Sequence, residues 1–129
     1  NIADEDSSSI TMEEILVQDP DIILMSNFDS FVPADIYDNK IEGQDWSGVS
    51  AVVNKRVYKT PIGIYRWDAP GVETPLMMLW MAKKFQPEIF SDVDFDKQLT
   101  TYFKDFFDYT LTDADTAMIL NAEANARNK

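Results

Sequence analysis

The chain has no cysteine and no histidine among its 129 residues. The first absence removes disulfides, thiolate nucleophiles and cysteine-ligated zinc; the second removes the commonest general base and the commonest metal ligand. Any chemistry is left to carboxylates, hydroxyls, Tyr, Lys and Arg. Only 4 glycines are present, and no phosphate loop, G-x-G-x-x-G fingerprint or G-x-S-x-G elbow occurs. Basic residues are scarce too: 11 Lys and Arg stand against 23 Asp and Glu, a formal charge of −12. That balance repels phosphate backbones and anionic lipid surfaces, so nucleic acid is not an expected partner. The longest apolar run, around residues 76 to 82, is far shorter than the ~20 residues that cross a bilayer. No membrane-spanning segment is expected.

What is present describes one folded unit. A hydrophobic content of 45% is too high for a disordered chain, and the length suits a single domain with one core. The chain opens on Asn1 and shows no signal peptide, so it reads as a processed or partial product, which leaves a secreted origin open.

Residues 1 to 9 are acidic and serine-rich and read as a lead-in with one short strand at most. Thr11 then caps a two-turn helix with Glu13 and Glu14 in its first turn and Ile15 and Leu16 facing inward, ending near Gln18. After Asp19-Pro20, "DIILM" has the unbroken apolar pattern of a buried parallel strand over 21 to 25. A short helix is expected over 33 to 41, a turn at Asn54-Lys55, and a second strand over roughly 57 to 60. Thr74, with Pro75 behind it, caps a helix that runs to about Phe85 and is apolar on nearly every face, so it should be packed on several sides. Phe95, Leu99, Tyr102, Phe103 and Phe106 form the inward stripe of a helix over 94 to 108. Thr112 opens a last helix with Ala114, Ala117, Met118, Ile119 and Leu120 as inward candidates, and the terminal "NARNK" should fray. Strands that alternate with helices point to an α/β fold with a small, mostly parallel sheet flanked by helices.

Two chemical readings fail on the residues. "DVDFD", Asp92 to Asp96, mimics the first half of a calcium loop, but Lys97 stands where the loop needs Gly and Phe103 where it needs Glu. Those acids are better read as the start of a helix. Paired carboxylates for glycoside chemistry need two acids roughly 5 to 9 Å apart, and among 23 acids sequence spacing supports no particular pair. No catalytic residue, metal ligand or cofactor is assigned.

If the two strands are parallel, their carboxyl ends share one edge, where open α/β sheets bind ligands. The segments leaving that edge are "SNFDSF" and "PIGIYRWDAPG", so Asn27, Phe28, Tyr65, Arg66 and Trp67 should converge there as a ligand-binding set. Free N–H groups at the start of the helix at Thr74 would face the same edge and favour a negative group, and Arg66 adds a forked donor. The plainer alternative stays open: Trp67 covers the helix start, and Arg66 pairs with Asp68 or Asp45. The first helix runs antiparallel to the strand it feeds, which brings Glu13 to the same edge as a docking candidate.

These landmarks resemble a known family. "ITMEEILVQDPDIILM" is similar to its S-x-E-x-L-L-x-x-x-P-D-x-I-I segment, from Thr11 through Ile23, and Ala51 to Tyr58 to its A-V-x-N-x-R-V-Y segment; "NIAD" and "ETPLMMLW" fall in the matching order. The chain is identified as resembling the C-terminal lobe, over residues 1 to 129 and incomplete, of the class III, or helical-backbone, periplasmic substrate-binding proteins of iron-complex ABC importers. Such proteins carry ferric siderophores, haem, cobalamin, molybdate or tungstate. The resemblance implies a non-enzymatic, periplasmic or extracellular component, lipid-anchored in its full-length form. It would hand an iron complex of siderophore type, or an oxyanion, to a membrane permease, with Glu13 bridging to permease arginines. With no histidine, direct metal contact would fall to Tyr65 or a carboxylate. The resemblance also implies that an N-terminal lobe and the first strand and helix of this lobe are missing, so that the chain alone binds ligand weakly or not at all. A carboxylate-dependent hydrolase domain and a plain structural or interaction domain are the rival readings.

Overall fold

The computed structural model describes residues 10 to 128; the lead-in of residues 1 to 9, its short strand and "NIAD" lie outside the described residues. The first helix, α1 (Met12–Gln18), is set by a capping box: Thr11 Oγ1 accepts the Glu14 N–H at 3.2 Å, and the Glu14 carboxylate accepts the Thr11 N–H at 2.7 Å. Two orphan donors of the first turn are thereby satisfied. The helix stops at Asp19, whose φ of 41° lies in the left-handed region. Its inward residues are Met12 and Ile15. Leu16, expected to face inward, is exposed, because a helix of two turns against one partner buries only a narrow stripe.

Among the described residues the sheet has two strands, β1 (Ile23–Met25) and β2 (Val57–Lys59), paired in parallel with Ile23 opposite Val57 and Met25 opposite Lys59. The predicted strands are therefore present, each slightly shorter than expected. Between them lie α2 (Pro33–Tyr37), shorter than the expected 33 to 41, and α3 (Ser50–Val53), for which sequence analysis assigned no element. The start of α3 is capped from a distance: the Asp19 carboxylate accepts the Ser50 N–H at 2.7 Å and the Ser50 hydroxyl at 2.8 Å. A cap 31 residues away in sequence leaves no local signature.

Ile23 N–H and Met25 C=O bond to the β2 side, at Arg56 and Thr60. The N–H and C=O of Val57 and Lys59 face the other way, and side chains close that edge. The Tyr37 hydroxyl accepts the Val57 N–H at 3.1 Å and shares its one proton between the Val57 carbonyl, at 3.3 Å, and Asn128 Oδ1. The Asn125 side chain accepts the Lys59 N–H at 2.8 Å and donates to the Lys59 carbonyl at 3.0 Å. An amide side chain thus stands in for a neighbouring strand, which removes an exposed edge. The terminal segment predicted to fray is accordingly pinned through residue 128: Asn128 bonds Tyr37, and Arg127 pairs with Asp38 at 2.7 Å.

Successive β2 residues point to opposite faces of the sheet, and two cores follow. Tyr58 belongs to the larger, with Trp67, Leu76, Trp80, Leu99 and Phe103; Val57 belongs to the smaller, with Ile36, Trp46, Val49 and Val52. The larger core is roofed by α4 (Thr74–Phe85), α5 (Phe95–Phe107) and α6 (Asp113–Ile119). Helices on both faces of a parallel sheet make the layered α/β fold expected from the sequence. Three packing expectations are corrected. In α4, Met78 is exposed; in α5, Phe106 is exposed; in α6, Ala114, Ala117 and Met118 are exposed while Ile119 is buried. Among the described residues α5 packs against both α4 and α6, and the apolar residues on the sides of these helices turned away from the core remain uncovered.

Candidate ligand-binding edge

Two loops leave the carboxyl ends of the strands, residues 26 to 31 after β1 and 61 to 73 after β2. The first is anchored inward by Asn27. Its side-chain N–H groups donate to the Thr60 carbonyl at 2.8 Å, to Thr60 Oγ1 at 3.0 Å and to the Pro61 carbonyl at 3.2 Å. Its side-chain oxygen accepts from Asn121 at 3.2 Å. All of the amide's hydrogen-bonding groups are thus engaged inside the chain.

Phe28, next in sequence, is 77% exposed. The Arg66 guanidinium lies over its ring, 3.6 Å from the centroid, and 5.7 Å from the ring centroid of Tyr65. Arg66 also pairs with Asp68 at 3.5 Å, and the same Asp68 oxygen accepts the Ser26 hydroxyl at 2.6 Å. The two loops are therefore joined across the edge by a cation–π stack and by a Ser26–Asp68–Arg66 chain. Arg66 Nε is buried and has no hydrogen-bond partner. A guanidinium held flat on an aromatic ring with unused donors suits a planar or anionic group.

Tyr65 is exposed, but Trp67 is not: at 4% exposure it belongs to the larger core, edge-on to Phe95 with ring centroids 6.4 Å apart. The Tyr65, Arg66 and Trp67 set expected at the ligand edge is thus split, and for two of its members the plainer alternative holds: Trp67 is covered and Arg66 pairs with Asp68, since a buried indole removes much apolar area from water. Its geometry comes from the loop. Ile62 and Arg66 form an antiparallel bridge, the Gly63 N–H reaches the Tyr65 carbonyl at 3.0 Å, and the Trp67 N–H reaches the Pro61 carbonyl at 3.1 Å. Trp67 still lines one side of a cavity of about 430 Å³ behind the edge, with Leu24, Ser26, Met77 and Met81.

The 61–73 loop closes on a buried carboxylate. Glu73, 3% exposed, accepts the Tyr65 N–H at 3.1 Å. Its Oε1 lies 1.9 Å from where a β-carbon on residue 63 would be, so any side chain at Gly63 would push the Glu73 carboxylate from its place; the glycine serves this close approach rather than its backbone angles. The expected free N–H groups at the start of α4 are absent. Thr74 N–H bonds Gly71, Leu76 and Met77 N–H groups bond the Glu73 carbonyl, and Pro75 has none to give.

Three participants escaped sequence analysis: Ser26, Glu73 and Lys59. Lys59 is 6% exposed in an otherwise apolar strand; burial pulls its ammonium below the usual value, while Asp29 and Asp68 pull it back up. A lone lysine at the end of a buried strand, in "VYKTP", was the available signal. Glu13 is exposed in the first turn of α1, and among the described residues its carboxylate has no hydrogen bond or ion pair, the capping role falling to Glu14. Asp94 of the calcium-like stretch caps α5 by accepting the Lys97 N–H at 3.0 Å, and among the described residues no cluster of acids suits a metal ion. No helix among them is long and apolar enough to cross a membrane.

No family model matches the chain. A periplasmic solute-binding protein from Veillonella parvula DSM 2008 is 50% identical, covering 98% of this chain and 39% of its own, with a TM-score of 0.89. CeuE of Helicobacter pylori, solved as a Ni-His complex, is 31% identical over 86% of this chain and 33% of its own, with a TM-score of 0.63. The molybdate-binding protein MolA of Haemophilus influenzae is 30% identical over 100 residues, 76% of this chain and 27% of its own. Its molybdate-bound structure superposes with a TM-score of 0.59, at 27% identity over 80% of this chain and 31% of its own. The chain thus spans from about a quarter to two fifths of the length of these relatives. Its structural neighbours are periplasmic solute-binding proteins of ABC transporters, and it has the α/β fold of one segment of such a protein.

Proposed function

We propose that the chain is part of the C-terminal lobe of a class III solute-binding protein, which captures a small anionic or chelated ligand and delivers it to an ABC permease. The observation that carries this reading is Arg66, stacked on Phe28 across the shared carboxyl-end edge of two parallel strands. Ligands of open α/β sheets bind at such an edge, and the 50% identity to a periplasmic solute-binding protein spans nearly the whole chain. The role is non-enzymatic and periplasmic or extracellular, with a lipid anchor on the full-length protein.

Two ligand chemistries have support. An oxyanion is favoured by the likeness to a molybdate-binding protein and needs only the charge and fork of Arg66. A metal chelate, the siderophore-type reading included, is favoured by the likeness to a protein solved with Ni-His and by the exposed rings of Phe28 and Tyr65, which offer flat apolar faces to an organic ligand. Calorimetric titration of the intact protein with molybdate, nickel–histidine and a ferric siderophore separates them. Arg66→Ala should weaken the ligand that binds by at least tenfold; equal affinity of wild type and variant for all three removes Arg66 from the site.

Glu13 is proposed to dock on cationic residues of the permease, since its carboxylate is exposed and unengaged among the described residues. Glu13→Ala should lower uptake by the reconstituted importer while ligand affinity stays the same. Unchanged uptake would refute the docking role.

A further inference from the structure

The candidate edge has a rim, formed by Phe28, Tyr65 and Arg66, and something must fix the rim's shape. Lys59 lies directly beneath it at the carboxyl end of β2. Its ammonium donates to the carbonyls of Ser26 at 2.7 Å, Asp29 at 2.7 Å and Phe31 at 2.9 Å. An ammonium has three N–H donors and no acceptor, so its capacity is filled by one loop. The three carbonyls bracket Phe28 in sequence. Curling residues 26 to 31 around a central cation turns their carbonyls inward, and Phe28 is left on the outside with its ring exposed.

Both supports of Arg66 hang from that loop: the Phe28 ring at 3.6 Å and, through Asp68, the Ser26 hydroxyl. No carboxylate lies within ion-pair distance of Lys59 among the described residues; Asp29 and Asp68 act on it only through their fields. We infer that Lys59 is a positioning residue of the ligand edge: its ammonium organises the 26–31 loop so that Phe28 and Ser26–Asp68 present the Arg66 guanidinium to the ligand. This rests on the reading of Arg66 as the ligand contact, but the geometric claim is tested without any ligand.

Arg66 protons close to the Phe28 ring carry an upfield ring-current shift, which NMR of the intact protein reads directly. Phe28→Leu removes the ring and sets the unshifted reference. Lys59→Met keeps the length and removes all three donors; it should bring the Arg66 resonances to the Phe28→Leu position while methyl signals of Leu99 and Ile119, deep in the larger core, stay unmoved. Lys59→Arg keeps the charge but replaces a compact donor by a planar fork, and it should lose part of the shift. An Arg66 signal that stays at the wild-type position in both lysine variants overturns the proposal. Failure of both to fold overturns it too, since Lys59 would then be a determinant of the fold and not of the rim. With molybdate as the probe, Lys59→Met and Phe28→Leu should weaken binding by similar factors, and the double variant no further than either. If neither they nor Arg66→Ala changes molybdate affinity while the ring-current result holds, the oxyanion reading of Arg66 fails and the positioning claim stands.

Discussion

Two borders of the same small sheet are finished in opposite ways. Along the outer edge of β2 every outward backbone group is matched within the chain, Val57 by the Tyr37 hydroxyl and Lys59 by the Asn125 amide, each both donating and accepting. Beyond the carboxyl ends of the strands Glu73 accepts the Tyr65 N–H with one oxygen and leaves Oε1 without a partner, but the anchors Asn27 and Lys59 are matched as fully as that edge. The rim above them is not. Arg66 keeps a buried Nε without a partner and a single ion pair at 3.5 Å, and the Phe28 and Tyr65 rings are exposed. Closing a border calls for side chains that donate and accept together; a binding border calls for donors and flat faces with capacity left over. Stability is therefore concentrated at the first border, and unused hydrogen-bonding capacity at the second, where the ligand edge is proposed.

The largest effect expected from breaking that contrast is at Asn125. Asn125→Ala strips both bonds from the backbone of Lys59, a residue 6% exposed. Leaving buried backbone groups unmatched costs about 1–3 kcal/mol, read as a lower midpoint in chemical unfolding. Phe28→Leu, at the open border, should move the same midpoint by no more than about 0.5 kcal/mol. Equal losses in the two variants would erase the distinction between a closed and an open border.

The sequence showed the elements better than it showed these borders. Strands, parallel pairing and the two long helices follow from apolar periodicity, caps and proline positions, all of which are local. The candidate edge was legible as a place, because parallel strands must share a carboxyl end, and Arg66 and Phe28 do meet there. The partners were not legible. Asn125 lies 66 residues from Lys59, and Lys59 lies 28 to 33 residues from the carbonyls it holds. Neither separation leaves a pattern that periodicity detects. Trp67 stayed between two readings for a related reason: loop position does not decide burial, and only the turn at Gly63 and the Glu73 carboxylate, which fold the loop back, place the indole in the core. The terminal "NARNK", polar and lacking periodicity, looked free to fray although its asparagines carry the edge.

A smaller effect sharpens the account of the closed border, at Tyr37. Burial holds its hydroxyl above the usual value, with the Val57 bond pulling the other way. An unfolded tyrosine ionises near pH 10, so just above that pH the folded state keeps a proton that the unfolded state has released. Stability then falls as pH rises from about 10 toward the folded value, and at neutral pH this proton contributes no slope. The informative quantity is the difference between wild type and Tyr37→Phe. The variant loses the bond donated to the Val57 carbonyl and the one accepted from the Val57 N–H, at a cost of about 1 kcal/mol at neutral pH. Its unfolding midpoint should fall less steeply with pH above about 10 than that of the wild type. Parallel slopes for the two proteins would mean that the Tyr37 hydroxyl titrates as it does in the unfolded chain, and that it does not seal the edge as tightly as its two bonds imply.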